Sequence, residues 1–206
     1  MIVSFDHKFV FAAVPKTGTH AVRQALRAHL GPNDIEQVGL FVQKKFPIPQ
    51  LAALQHGHIS LEQLRPHLTP GQFETFFKFA FVRNPFDRFV SYCSFMTRFQ
   101  GEFLANPQRV MAHFLQNPPR QHVLFWPQYS FIADASGELL TDYVGRVEEM
   151  QHSYDEIAQR IGISGAKLEK INTSKRSDYR SYYTPPLVEG VARLYARDLE
   201  LFGYEF

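Results

Sequence analysis

Cysteine is nearly absent: the chain of 206 residues has one, Cys93. A disulfide framework within the chain and a multi-cysteine zinc site are both excluded. Net charge is only +2, so no global field draws a nucleic-acid polyanion, and any basic site must be local. Long hydrophobic runs are missing too. No stretch approaches the roughly 18 apolar residues of a membrane helix. The opening MIVSFDHK has neither the charged region nor the apolar segment of a signal peptide. The expectation is a cytoplasmic protein with no integral membrane segment and no nucleic-acid partner.

What is present suits one domain over residues 1–206, because 45% hydrophobic residues in a chain of this length can fill a sizeable core. Aromatics are plentiful, with 20 Phe and 9 Tyr to pack it. Short apolar runs at 8–14, 35–42, 76–82 and 142–147 read as strands. Between and after them, 21–30, 86–98, 106–120, 148–161 and 184–201 carry helical spacing. Ser60 with Gln63 three residues on forms a capping box at a helix opening, while 44–50, with two prolines, reads as a loop. DASGE at 134–138 is a turn, and Thr184 followed by Pro185 opens the last helix. Alternation of strand and helix predicts an α/β fold with a mainly parallel central sheet flanked by helices. Ligands of such sheets sit beyond the carboxyl ends of strands.

Two loops fall at such ends. VPKTGTH (14–20) joins the first apolar run to a helix. Free amides and the positive end of a helix dipole favour an anion there. Gly18 lets the backbone wrap closely, Lys16 adds a charge, and Thr17 and Thr19 add hydroxyls. The order is not that of the nucleotide triphosphatase loop, in which Lys follows the second of two glycines. A plain strand–helix turn with a surface lysine is the bland alternative. The second loop, VRNPFDR, places Arg83 directly after a strand and Ser91 eight residues later. A guanidinium there suits bidentate phosphate binding. Alternatively, Arg83 pairs with Asp87 and Ser91 only packs.

Taken together, PKTGT and RNPFDRFVSYC resemble the sulfotransferase family that uses 3′-phosphoadenylyl sulfate, PAPS, in its carbohydrate-type and bacterial branch (sulfotransferase family 2-like). The likeness runs over residues 9–206 and includes FWPQYSFIADASGELLTDYVGRVEEM and the tail from NTSKR onward. It implies a P-loop-like (sulfotransferase/nucleoside-kinase-like) topology and no metal. Lys16 then sits near the oxygen bridging phosphorus and sulfur, with Thr17, Gly18, Thr19 and His20 as amide or hydroxyl donors. His20 departs from the Ser or Thr frequent in the family, which keeps an amide but loses a hydroxyl. Arg83 and Ser91 hold the 3′-phosphate, and Ser174, Lys175 and Arg176 close over the phosphate or the base. The product is 3′,5′-ADP, and the acceptor is a hydroxyl on a carbohydrate, a lipid or a small molecule.

Sulfuryl transfer to a hydroxyl needs a base. HGHIS (56–60) is the candidate stretch, and a family His in a G/K-H-x-[ST] context corresponds to His58. His58 is the first choice, His56 the second and Glu62 an outsider. Two other classes stay open: a non-catalytic 3′-phosphonucleotide-binding protein, which needs no base, and a small ATP-dependent kinase.

Overall fold

The computed structural model describes residues 1–37, 47–168 and 177–206. Five strands, β1 (Ile2–Ser4), β2 (Phe9–Ala12), β3 (Ile35–Glu36), β4 (Phe77–Val82) and β5 (Tyr143–Arg146), form one sheet in the order β3-β1-β2-β4-β5. Its helices are α1 (Thr19–Arg27), α2 (Pro49–Ala52), α3 (Leu61–Leu64), α4 (Pro70–Thr75), α5 (Pro85–Met96), α6 (Glu102–Ala105), α7 (Pro107–Gln116), α8 (Met150–Ile161), α9 (Pro185–Leu194) and α10 (Ala196–Phe202). The described chain is therefore α/β. Among its described residues no helix is long and apolar enough to cross a membrane.

The sheet is mixed rather than mainly parallel. β2 pairs with β4, and β4 with β5, in parallel; β1 runs antiparallel to both β2 and β3. The difference comes from β1, which the sequence pattern does not announce because three apolar and small residues have no readable period. Since β1 opposes both of its neighbours, the other four strands point one way. The parallel pair β2–β4 has Ala12 opposite Ala80. Both strands release their chains at the same sheet edge.

Contacts divide the chain into two compact units, Met1–Val82 with Gln128–Ile171, and Arg83–Pro127 with Asn172–Phe206. In the first, alternate strand residues Phe9, Phe11, Phe79 and Phe81 pack with Val22 and Leu26 of α1 and with Tyr154, Ile157 and Ile161 of α8. That is the period of two expected on one sheet face, met by the i, i+4 and i, i+3 spacing of helices. The even-numbered strand residues Val10, Ala12 and Ala80 are also buried, so these strands are covered on both faces and read as apolar runs rather than alternating ones, apart from Lys78 in β4. In the second unit α5, α7 and α9 share a core of Phe86, Phe89, Val90, Cys93, Val110, Met111, Leu187, Val191 and Tyr195. Burial raises the Cys93 thiol pKa well above its ordinary value.

Several boundaries differ from the sequence expectation. The last helix breaks in two at Tyr195, whose backbone leaves the helical region at φ −116° and ψ 29°. Its buried hydroxyl donates to the Phe125 carbonyl at 2.9 Å, and Arg88 lies over its ring. That tertiary anchor outranks helix continuity. Thr184 stands at the N-cap of α9, but its side chain makes no capping bond; Pro185 at the first position does the opening. The 106–120 helix ends at Gln116, and the 44–50 loop gives way to α2 from Pro49. Of the 35–42 strand only Ile35–Glu36 is seen within the described residues, which stop at Gln37. The capping box of Ser60 and Gln63 is present in full.

Candidate functional site

Residues 14–20 leave β2 and enter α1 through a backbone of alternating hand. Lys16 has φ 66° and Gly18 φ 69°, while Thr17 between them keeps a negative φ. Alternation of this kind gathers successive N–H groups into an anion-binding nest. Among the described residues, the amides of Thr17, Gly18 and Thr19 make no backbone hydrogen bond. A non-glycine residue in the left-handed region is strained by about 1–3 kcal/mol and is held there by its surroundings, so Lys16 is fixed by the loop rather than by its own preference. Gly18 is required twice over. Its φ is left-handed, and an added Cβ would lie 2.6 Å from the Met150 methyl of α8.

The threonines divide their roles. Thr17 is fully buried and donates its hydroxyl inward to the Val14 carbonyl at 2.9 Å. Its hydroxyl therefore braces the loop and only its amide remains as a donor, a correction to the expectation from sequence. Thr19 is also buried. His20 is exposed, and its imidazole pKa is lowered, first by partial desolvation and then by Arg23, Lys16 and Arg27.

The 56–60 loop joins this structure through a contact invisible in sequence. His58 Nδ1 lies 2.6 Å from the carbonyl of Ala13, the residue after β2 and three before Lys16. A carbonyl only accepts, so Nδ1 carries the proton and Nε2 keeps its lone pair. Burial pushes the His58 imidazole pKa down to about 3; the Ala13 bond opposes this, and Arg23 adds to it. His56 lies 6.3 Å from His58 between ring centroids, and its buried Nδ1 has no partner. Its pKa is lowered too, by burial first. The loop itself is pinned by backbone: Met1 N donates to Gly57 O at 2.5 Å, and Gln37 Nε2 donates to the carbonyls of His56 and Leu51, each at 2.8 Å. Ser60 then starts α3. Glu62 stands in the first turn of that helix, exposed.

In the second unit Arg83 follows β4 directly. Its Nε and Nη2 both donate to Asp87 Oδ2, at 2.7 and 2.5 Å. The ion pair of the alternative reading is thus present, and it fixes the guanidinium at the start of α5. Asp87 and Ser91 are i and i+4 on that helix and share a face. Neighbouring Arg88 turns inward, where it is buried and donates to the carbonyls of Trp126 and Leu124. Trp126 is partly exposed, with its indole N–H on Arg120 O at 2.7 Å. Ser174, Lys175 and Arg176 lie outside the described residues.

Of the residues singled out in the sequence, Lys16 and Gly18 shape the loop after β2, His58 is bound to Ala13 O and Arg83 follows β4. Ala13, Gln37 and Arg23, which act on the His58 ring or its loop, were not singled out. A carbonyl has no sequence signature, and Gln37 acts across 14 and 19 positions. Arg23 was open to suspicion as a cation on the apolar face of α1, where it is buried 3.4 Å from Glu36.

A nest-forming loop after β2, a tautomer-fixed histidine bound beside it and an arginine after β4 accompany a family assignment that covers the chain. The model of the Sulfotransferase family matches residues 1–205. The chain belongs to the sulfotransferase family, which makes sulfuryl transfer to a hydroxyl acceptor its class of activity. Searches of curated proteins and of solved structures return no match.

Proposed function

We propose that the protein moves a sulfuryl group from PAPS to a hydroxyl of a carbohydrate, lipid or small molecule by in-line displacement, leaving 3′,5′-ADP. The reading takes residues 1–206 as one cytoplasmic sulfotransferase domain of P-loop-like topology. PAPS supplies the activated sulfuryl group; the chain's residues bind, orient and move the proton. The amides of Thr17, Gly18 and Thr19 take the 5′-phosphosulfate, and that of His20 extends the row. Lys16 meets the negative charge that grows on the bridging oxygen as its bond to sulfur breaks. A cation that acts there favours the transition state over the ground state. His58 Nε2 takes the acceptor proton while the acceptor oxygen bonds to sulfur, and Nδ1 stays on Ala13 O. Arg83 and Ser91 take the 3′-phosphate, with Ser174, Lys175 and Arg176 closing over it or the base.

The observation that carries the reading is the Ala13 bond, which attaches a histidine with a free Nε2 to the chain just before the anion loop. In an ordinary surface loop nothing would fix the tautomer of that ring.

The weak basicity of His58, at about 3, favours one rival: a 3′-phosphonucleotide-binding protein without chemistry. A general base works best with a pKa near the operating pH. Two measurements separate the readings. Calorimetric titration with 3′,5′-ADP, with ADP as control, tests the nucleotide site; equal binding of the two would sink PAPS and favour the kinase. His58→Ala then tests the base. It should abolish transfer from PAPS while 3′,5′-ADP still binds. Loss of transfer only in His56→Ala would move the base two residues, and a wild type that binds but never transfers would be the non-catalytic protein.

A further inference from the structure

Asn84 stands at the N-cap of α5, one residue after Arg83, and both ends of its amide are engaged. Oδ1 accepts the Phe86 N–H at 3.0 Å, the capping bond. Nδ2 donates to the Glu205 carbonyl at 2.8 Å and to the Tyr179 hydroxyl at 3.3 Å. Capping explains only the first. Serine or threonine caps a helix as well, and the other two bonds reach 121 and 95 positions down the chain.

Phe86 repeats the arrangement in apolar form. Its ring meets Phe206 edge-on at 5.0 Å and Tyr183 at 5.6 Å, and its carbonyl accepts the Tyr183 hydroxyl at 2.8 Å. Tyr183 and Tyr179 also hold the Phe206 ring, at 5.2 and 6.0 Å. Edge-to-face pairs of this kind hold rings together beyond what area burial alone gives. The four-residue turn that begins with Arg83 is therefore clamped by the segment 205–206 and by the short 3₁₀ turn Tyr179–Tyr182.

A guanidinium fork binds phosphate through two bonds only if its base is fixed. The Asp87 pair orients the far end of the Arg83 side chain; the clamp fixes the backbone from which it starts. We infer that Asn84 and Phe206 are positioning residues of the 3′-phosphate subsite: the 205–206 segment, seated on Asn84 and Phe86, holds the 83–86 turn in the geometry that lets Arg83 take the nucleotide's 3′-phosphate. This rests on the reading of Arg83 as the 3′-phosphate ligand.

The test compares the affinities of 3′,5′-ADP and 5′-AMP, which differ in the 3′-phosphate alone, for the wild type, Asn84→Ser and Phe206→Ala. Serine keeps the cap and removes both Nδ2 donors. In each variant the preference for 3′,5′-ADP should fall about tenfold, roughly 1.4 kcal/mol, while 5′-AMP binding stays level. Phe206→Tyr should restore most of the preference. A preference unchanged in both variants overturns the inference. So does an equal loss for both nucleotides, which a merely structural role would give. Should Phe206→Ala fail to fold, Phe206→Leu with Asn84→Ser carries the comparison. A wild type without preference between the two nucleotides removes Arg83 itself from the site, and that failure is read before any variant is made.

Discussion

His58 is held by two opposing demands. Its tether to Ala13 O fixes the tautomer that a base needs, and its burial weakens it as a base. Burial also leaves a signature in stability. The unfolded chain protonates a histidine at its ordinary pKa of 6.5, whereas the folded protein holds His58 neutral down to about 3. Between those values the unfolded state binds a proton that the folded state refuses, so acid favours unfolding. The contribution is whole above 6.5 and is lost as the pH falls toward 3. His20, His56 and His122 shift in the same direction, so the wild-type slope alone identifies nothing. The difference from His58→Gln does. Calorimetric melts at pH 7, 6, 5 and 4 should show the wild type losing more stability than the variant at each step. A gap that does not change with pH would mean that His58 is not buried in solution.

At the level of elements, the anion loop is built by its glycine and by the helix behind it. Gly18→Ala forces a side chain into the left-handed region, at a cost of about 1–2 kcal/mol, and drives its methyl against Met150. The melting temperature should fall by about 2–8 °C for a chain of this size. The methionine end is flexible, so Met150→Ala relieves the contact but not the backbone. Gly18→Ala in a Met150→Ala background should therefore still lower the melting temperature. If it does not, contact rather than conformation required the glycine. The same contrast of local and distant causes decides what was legible in the sequence. The Ser60–Gln63 capping box, the Lys16–Gly18 loop and the PFDR start of α5 were legible, because each depends on residues within one turn. The break at Tyr195 was not, since its cause is a hydrogen bond to Phe125, 70 positions away. Nor was β1, which pairs with β2 and with β3, the latter more than thirty positions down the chain. Within the site, Thr17 looked like a ligand hydroxyl because composition shows a side chain but not its direction.

For the whole molecule, the family match runs through both compact units, and each unit holds one of the two loop motifs proposed for the nucleotide. Residues 14–20 belong to the first. Arg83, where the second begins, is the residue next to the end of β4. Within the first unit β2 and β4 run parallel in register, with Ala12 opposite Ala80. Assigning both motifs to a single nucleotide makes a claim that neither motif tests alone. At about 100 times its dissociation constant a ligand of the native state adds about 2.7 kcal/mol of stability, and backbone amides it orders exchange more slowly. With 3′,5′-ADP, deuterium uptake should fall at both 14–20 and 83–91. With ADP it should fall at 14–20 and stay unchanged at 83–91, because the proposed function gives Arg83 to the 3′-phosphate, which ADP lacks. Protection confined to 14–20 with either nucleotide would leave Arg83 a structural partner of Asp87. Protection of both segments by ADP would mean that the second motif responds to occupancy of the first rather than to the 3′-phosphate, and the assignment of Arg83 and Ser91 would fall while that of Lys16 stood.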